Sequence, residues 1–250
     1  MTKPVQARSF DAIAAAYDTH RPSYPPALFD AVEELSGIPL AGARVADVGA
    51  GTGLGTARLY ERGARVTAVE PGDGMAGQFA RSLPDVPLVR GDGNSLPLRT
   101  GSMDLVTYAQ AWHWTDPGRS IPEVRRVLRP GGALALWWNH GDSAVDWLVD
   151  QENRMRVFFG VEVPADPSRD ARFRGKLPDG LDFRTRLVVW SRRVSVDAHI
   201  ANMATHSDFL IGDPAAVRDF FDRERALLNA LFPDGEVEEA YVVSLAVAHP

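Results

Sequence analysis

Val45-Ala46-Asp47-Val48-Gly49-Ala50-Gly51-Thr52-Gly53 is the stretch that decides the fold. Arg44 to Val48 is a short β-prone run, and from Leu54 to Arg62 the pattern turns helical, so a glycine-rich turn joins a strand directly to a helix. Glycine at such a turn takes positive φ and admits a ligand without a Cβ in the way. The helix start adds unpaired N–H groups and a partial positive charge. The dinucleotide fingerprint Gly-x-Gly-x-x-Gly fails in every register, because counting from Gly49, Gly51 or Gly53 puts Leu54, Thr56 or Arg58 at its last position. No Gly-Lys-Ser/Thr follows, so a phosphate-binding Walker loop fails too. What remains suits a nucleoside without a pyrophosphate.

Outward from the loop, short strands alternate with helices. Strands are expected at Arg65–Val69, Pro87–Arg90, Met103–Tyr108 and Ala133–Trp138, and helices at Gly74–Arg81 and Pro117–Leu128. This alternation indicates a parallel sheet covered on both faces, and the apolar runs fit strands buried on both sides. After Asp142 the pattern changes. An amphipathic helix is expected over Asp142–Phe159, then a loop rich in Pro, Asp and Gly over Gly160–Gly180. Phe183–Val194 alternates as a long strand, Val196–Leu210 and Pro214–Phe232 read as helices, and Val237–His249 ends the chain as a strand.

Composition narrows the function classes. The 250-residue chain contains no cysteine, which excludes disulfides, thiolate metal sites and cysteine nucleophiles. No apolar run reaches the roughly 18–20 residues of a membrane span, and Met1–Phe10 lacks a signal-peptide core, so a cytoplasmic location is expected. A net charge of −6 argues against a large nucleic-acid footprint. The spacing of His, Asp and Glu makes no metal site, and His206 beside Ser207 is poor geometry for a nucleophile–base pair.

The glycine loop resembles the first motif of class I S-adenosylmethionine-dependent methyltransferases, and further segments match in order. Glu70 ends the second strand about twenty residues on, where an acid accepts both ribose hydroxyls. Gly91-Asp92-Gly93 follows the third strand, Asp104–Gln110 forms the fourth, and Val127–Ala133 is similar to the family's turn into the fifth. Phe10–Tyr17 with Arg21-Pro22-Ser23-Tyr24-Pro25 resembles the cover helix of the small-molecule branch that includes relatives of trans-aconitate methyltransferase.

The resemblance implies an α/β fold, with a mostly parallel Rossmann-like sheet, an antiparallel last strand, helices on both faces and added helices over the acceptor pocket. It implies one domain, divided into cover helices (1–40), a cofactor core (41–140) and an acceptor-side part (141–250). S-adenosylmethionine is the implied cofactor, without a metal. Its implied contacts are Tyr17, Arg21, Asp47, Gly49, Ala50, Gly51, Gly53, Glu70, Pro71, Met75, Asp92, Gly93, Asn94, Ala109 and Gln110. Asp47 reads equally as a group that orients the loop, and Arg21 as one that pairs with a surface carboxylate.

The patch Ala111-Trp112-His113-Trp114-Thr115-Asp116 follows the fourth strand and so lies on the ligand side of the sheet. His113 is the first candidate for a general base or an orienting group, and His206 the second. Trp112, Trp114 and Trp138, with Tyr24, Asn139 and His206, are the candidate acceptor contacts, although either tryptophan of the patch reads equally as core. The aromatic content points to a flat or apolar small-molecule acceptor, with no nucleic acid or membrane partner, for a monomer or homodimer. A nicotinamide oxidoreductase and a non-catalytic adenosyl-binding protein are the competing readings.

Overall fold

The computed structural model describes residues 9–162 and 177–250; most of the loop Gly160–Gly180 and most of Met1–Phe10 lie outside them. The described strands are β1 (Arg44–Val48), β2 (Arg65–Glu70), β3 (Leu88–Arg90), β4 (Met103–Ala109), β5 (Leu128–Gly141), β6 (Arg184–Ser195) and β7 (Glu236–Ala248). The described helices are α1 (Ala14–His20), α2 (Pro26–Ser36), α3 (Leu54–Glu61), α4 (Asp73–Ser82), α5 (Pro117–Val127), α6 (Asp146–Phe158), α7 (Val196–Ala204), α8 (Ser207–Leu210) and α9 (Pro214–Leu231). The strands form one mixed, mostly parallel sheet in the order β3-β2-β1-β4-β5-β7-β6. The pairs β1·β2, β1·β4, β2·β3 and β4·β5 are parallel. The described residues divide into two compact units, one built from 23–139, 177–188 and 243–250, the other from the described parts of 1–22, 140–176 and 189–242.

In the first unit, Val45, Ala46, Leu105, Val106, Leu134 and Leu136 are wholly buried, as expected of strands covered on both faces. Parallel alignment brings the C-terminal ends of β1, β2, β4 and β5 to one edge. The strand order reverses direction between β1 and β4, where open α/β sheets bind ligands. The entry to α5 is fixed by Asp116, whose side chain accepts from Gly118 N at 2.9 Å, and by Pro117 in the first turn.

The second unit has its own apolar core, in which Val196, Ile200 and Met203 of α7, Phe209 of α8, Phe220, Phe221 and Leu228 of α9, and Val237 of β7 pack together. The helix expected over Val196–Leu210 is broken. Thr205 Oγ1 donates back to Asn202 O at 2.6 Å, and His206 turns extended (φ −73°, ψ 139°), starting α8 afresh. Neither residue is a strong helix breaker, so periodicity alone ran through the gap.

Beside this core lies a buried polar network that the sequence does not announce. His199 Nδ1 lies 2.7 Å from Glu239 and its Nε2 lies 2.9 Å from Gln151 Oε1. Gln151 Nε2 donates to Glu224, and Arg154 forms an ion pair with the same carboxylate. Glu239 also accepts from Arg192, Asn202 and the Tyr241 hydroxyl. Arg192 donates in turn to His20 O at 3.0 Å, and Arg21 to Thr205 O at 3.2 Å, tying the end of α1 to the network and to α7. Burial pushes the Glu239 carboxyl up, but the hydrogen bonds and charges of His199 and Arg192 outweigh it and hold the group down to about 2.

A carboxylate lowered from 4.5 to about 2 contributes stability above its unfolded value and loses it as pH falls toward the folded one. Stability is expected to drop by about 3 kcal/mol between roughly pH 4.5 and pH 2 from this group. Glu239→Gln should lower stability at neutral pH and flatten that acid limb, as read by urea melts at stepped pH. An acid limb unchanged in the variant would take Glu239 out of the account.

Candidate functional site

The loop Gly49–Gly53 is built at the C-terminal end of β1 and is held from below and from the side. Gly49 N and Ala50 N both donate to Val69 O of β2, at 2.8 and 3.2 Å. Beneath the loop, Asp47 is wholly buried; it accepts from Thr56 Oγ1 of α3 at 2.5 Å and from Thr107 Oγ1 of β4 at 2.8 Å. Burial raises its carboxyl above the usual range, and the two threonine bonds pull the other way. Of its two expected roles, the orienting one is visible here, since both oxygens are engaged inside the fold.

Gly49 has φ +69°, and a Cβ there would stand 2.5 Å from the Ala111 Cβ, so backbone conformation and close approach both require glycine. Gly51 and Gly53 also have positive φ, and none of the described residues lies within 4 Å of where a Gly51 side chain would point. Thr52 Oγ1, within the same loop, is buried without a hydrogen-bond partner among the described residues. α3 begins directly after Gly53 with no side-chain cap, which leaves first-turn amides for a bound group.

Glu70, at the end of β2, is buried, accepts from Gly51 N at 2.8 Å and from Gly72 N at 2.7 Å. Glu70 therefore fixes the loop and the turn after β2 while its chemistry suits a pair of vicinal hydroxyls. Pro71 in that turn is exposed and its carbonyl accepts from Arg90; Met75 on α4 is buried. Exposed Asp92 caps the backbone of Asn94 at 2.7 Å, and Asn94 Oδ1 accepts from Asp116 N. Buried Gly93 packs against Tyr108 and Thr115.

After β4 the backbone turns sharply. Gln110, reached from Ala109, has φ +57°, the one positive φ outside glycine among the described residues, and strained backbone of this kind collects at functional sites. Gln110 N donates to Trp137 O, and its side-chain amide donates to Asn139 O at 3.1 Å, clasping the ends of β4 and β5 together. Trp112 is 2% exposed and meets Tyr108 edge-on at 4.9 Å, so it packs in the core instead of lining an open surface. Trp138 is also buried, while its indole N–H donates to His113 Nδ1. His113 is exposed and Trp114 half-buried, with ring centres 4.5 Å apart. Tyr24 sits edge-on to Trp137 at 5.9 Å.

Tyr17, Arg21 and His206 belong to the other unit. There the Arg21 guanidinium lies over the Tyr17 ring at 5.1 Å, and its Nε is buried without a hydrogen-bond partner among the described residues. Burial, with the Arg21 and His199 charges, holds His206 well below the usual histidine value, so its ring is neutral at pH 7. The buried network of His199 and Glu239 was not among the expected site residues, and no motif marked it. Among the described residues, no three His, Asp or Glu side chains cluster in a way that could hold a metal ion.

The donor set of the loop and the Glu70 carboxylate fit an adenosyl group. Residues 46–136 match the methyltransferase domain family. An uncharacterized methyltransferase of Mycobacterium tuberculosis strain H37Rv is 41% identical over 222 residues, covering 88% of this chain and 85% of that one. An uncharacterized methyltransferase of Schizosaccharomyces pombe is 32% identical over 142 residues, 56% of each chain. Among solved structures, a candidate type II methyltransferase from Anaeromyxobacter dehalogenans aligns with a TM-score of 0.69 at 26% identity, covering 91% of this chain and 96% of that one.

Two substitutions test the loop. Glu70→Ala is expected to weaken S-adenosylmethionine binding by about 1.5–3 kcal/mol, the range of a hydrogen bond to a charged group; unchanged affinity by calorimetry would remove Glu70 from the site. Gly49→Ala combines overpacking against Ala111 with positive-φ strain and should cost about 2–4 kcal/mol of stability by chemical denaturation.

Proposed function

We propose that this chain, which belongs to the class I S-adenosylmethionine-dependent methyltransferases, passes the methyl group to a small, flat or apolar metabolite. The observation that carries the acceptor class is the aromatic rim at the C-terminal edge of the sheet. Trp114 and His113 lie there beside the clasp of Gln110 and Asn139, next to the strand end that bears the glycine loop. Flat rings suit a planar partner, and the net charge of −6 suits neither a nucleic acid nor an anionic surface.

When bound, the cofactor supplies a methyl group already activated by its sulfonium. The chain's task is alignment. Glu70 binds and orients through a carboxylate fixed by two backbone amides, and Asp47 keeps the loop in one shape through Thr56 and Thr107. Such pre-set geometry allows a nucleophile to be held at near-attack distance, which is the main source of acceleration for a displacement of this type. Asp92, Gly93 and Asn94 are proposed for the adenine, and Ala50, Pro71, Met75, Ala109 and Gln110 for the rest of the cofactor. His206, neutral and half-buried, is the proposed second acceptor contact. The proposed setting is the cytoplasm; among the described residues no helix is long and apolar enough to cross a membrane.

The test is incubation with S-adenosylmethionine carrying a deuterated methyl group and a panel of aryl carboxylates, phenols, hydroxyquinones and aromatic amines, read by mass spectrometry. A panel compound that gains the labelled methyl group is the expected result. Labelling confined to added protein or nucleic acid would overturn the acceptor class. Tight cofactor binding with no transfer to anything would favour a non-catalytic adenosyl-binding protein.

A further inference from the structure

His113 stands in the single helical turn Trp112–Trp114 that follows β4, and the Trp138 indole Nε1 donates to its Nδ1 at 3.4 Å. An indole nitrogen carries a hydrogen and has no lone pair to offer, so it can only donate. The direction of this bond is therefore unambiguous, unlike one from a hydroxyl or an amide. Nδ1 is the bare, accepting nitrogen, and a neutral His113 ring carries its proton on Nε2. The donor is well fixed, because Trp138 is 1% exposed within β5. The Trp114 ring, tilted by 47° at 4.5 Å, flanks the imidazole.

We infer that His113 orients the methyl acceptor as a hydrogen-bond donor through Nε2–H and is not the general base of the reaction. This deepens the methyl-transfer reading above and rests on it. A base must offer an unengaged lone pair to the proton it removes. The lone pair of Nδ1 is committed to an indole inside the sheet, and Nε2 already holds a proton. The acceptor class narrows accordingly. It presents a lone pair to His113, as a carbonyl, carboxylate or phenolate oxygen does, and its nucleophilic atom reaches the methyl group without giving a proton to this ring.

Two measurements test the assignment. The first is a two-bond ¹H–¹⁵N correlation spectrum of the ¹⁵N-labelled protein at pH 8, without cofactor or acceptor, with His113 assigned from the signals lost in His113→Gln. A bare Nδ1 with a protonated Nε2 is expected, together with a shift of the Trp138 indole proton in His113→Ala. A proton on Nδ1 overturns the inference, whatever the outcome of the methyl-transfer assay. The second compares turnover of the panel compound that takes the label. His113→Gln, whose amide can donate but cannot accept a proton, should stay within about threefold of the parent, while His113→Ala falls about tenfold. A loss of about a hundredfold or more in both variants is the mark of a missing base, and full activity of the alanine variant means no role; either result overturns the inference.

Discussion

A carboxylate sealed inside the fold, Asp47, is the constraint on which the glycine loop depends. Its two oxygens take hydrogen bonds from Thr56 at the start of α3 and from Thr107 in β4. Three elements that meet under the glycine loop are thus joined through one side chain. The bonds offset part of the cost of burying the charge, and removing either hydroxyl leaves an acceptor stranded in the core. The loop above can then be all small residues and still be rigid. Its shape is enforced from beneath by Asp47, from β2 by Val69 O, and from the side by Glu70.

Much of this was legible in the sequence, for a definite reason. Val45–Val48, Arg65–Val69 and Ala133–Trp138 are dense apolar runs because parallel strands are covered on both faces, and such runs stand out against the helices between them. The failure of the third glycine, with Leu54 in its place, sets this loop apart from a dinucleotide loop without any structure. The place of Glu70, about twenty residues after the loop, follows from the motif the sequence resembles, whereas its bonds to Gly51 N and Gly72 N do not.

What was not legible depended on long-range partners. Asp47 and Glu70 look alike in the sequence, yet one faces inward to two hydroxyls and the other faces the loop amides. Trp112 and Trp114 are two residues apart, and only the tertiary fold decides that the first packs against Tyr108. Glu236, Glu238 and Glu239 crowd one strand, and nothing local reveals that Glu239 is the buried one, since its partners His199 and Arg192 lie 40 and 47 residues away. The division into two compact units is hidden for the same reason, because each is assembled from separated stretches of chain.

That separation sets an order of assembly. α1 is fastened by Arg192 to His20 O across 172 residues, and by Arg21 to Thr205 O across 184. The entropy of closing loops of this size must be met before either bond forms, so contacts of such range come late in folding. The glycine loop needs no such wait, because its ties to Val69 and Glu70 close within about twenty residues. A segment made early therefore docks late. The glycine loop is expected to take shape while α1 is still searching for its seat.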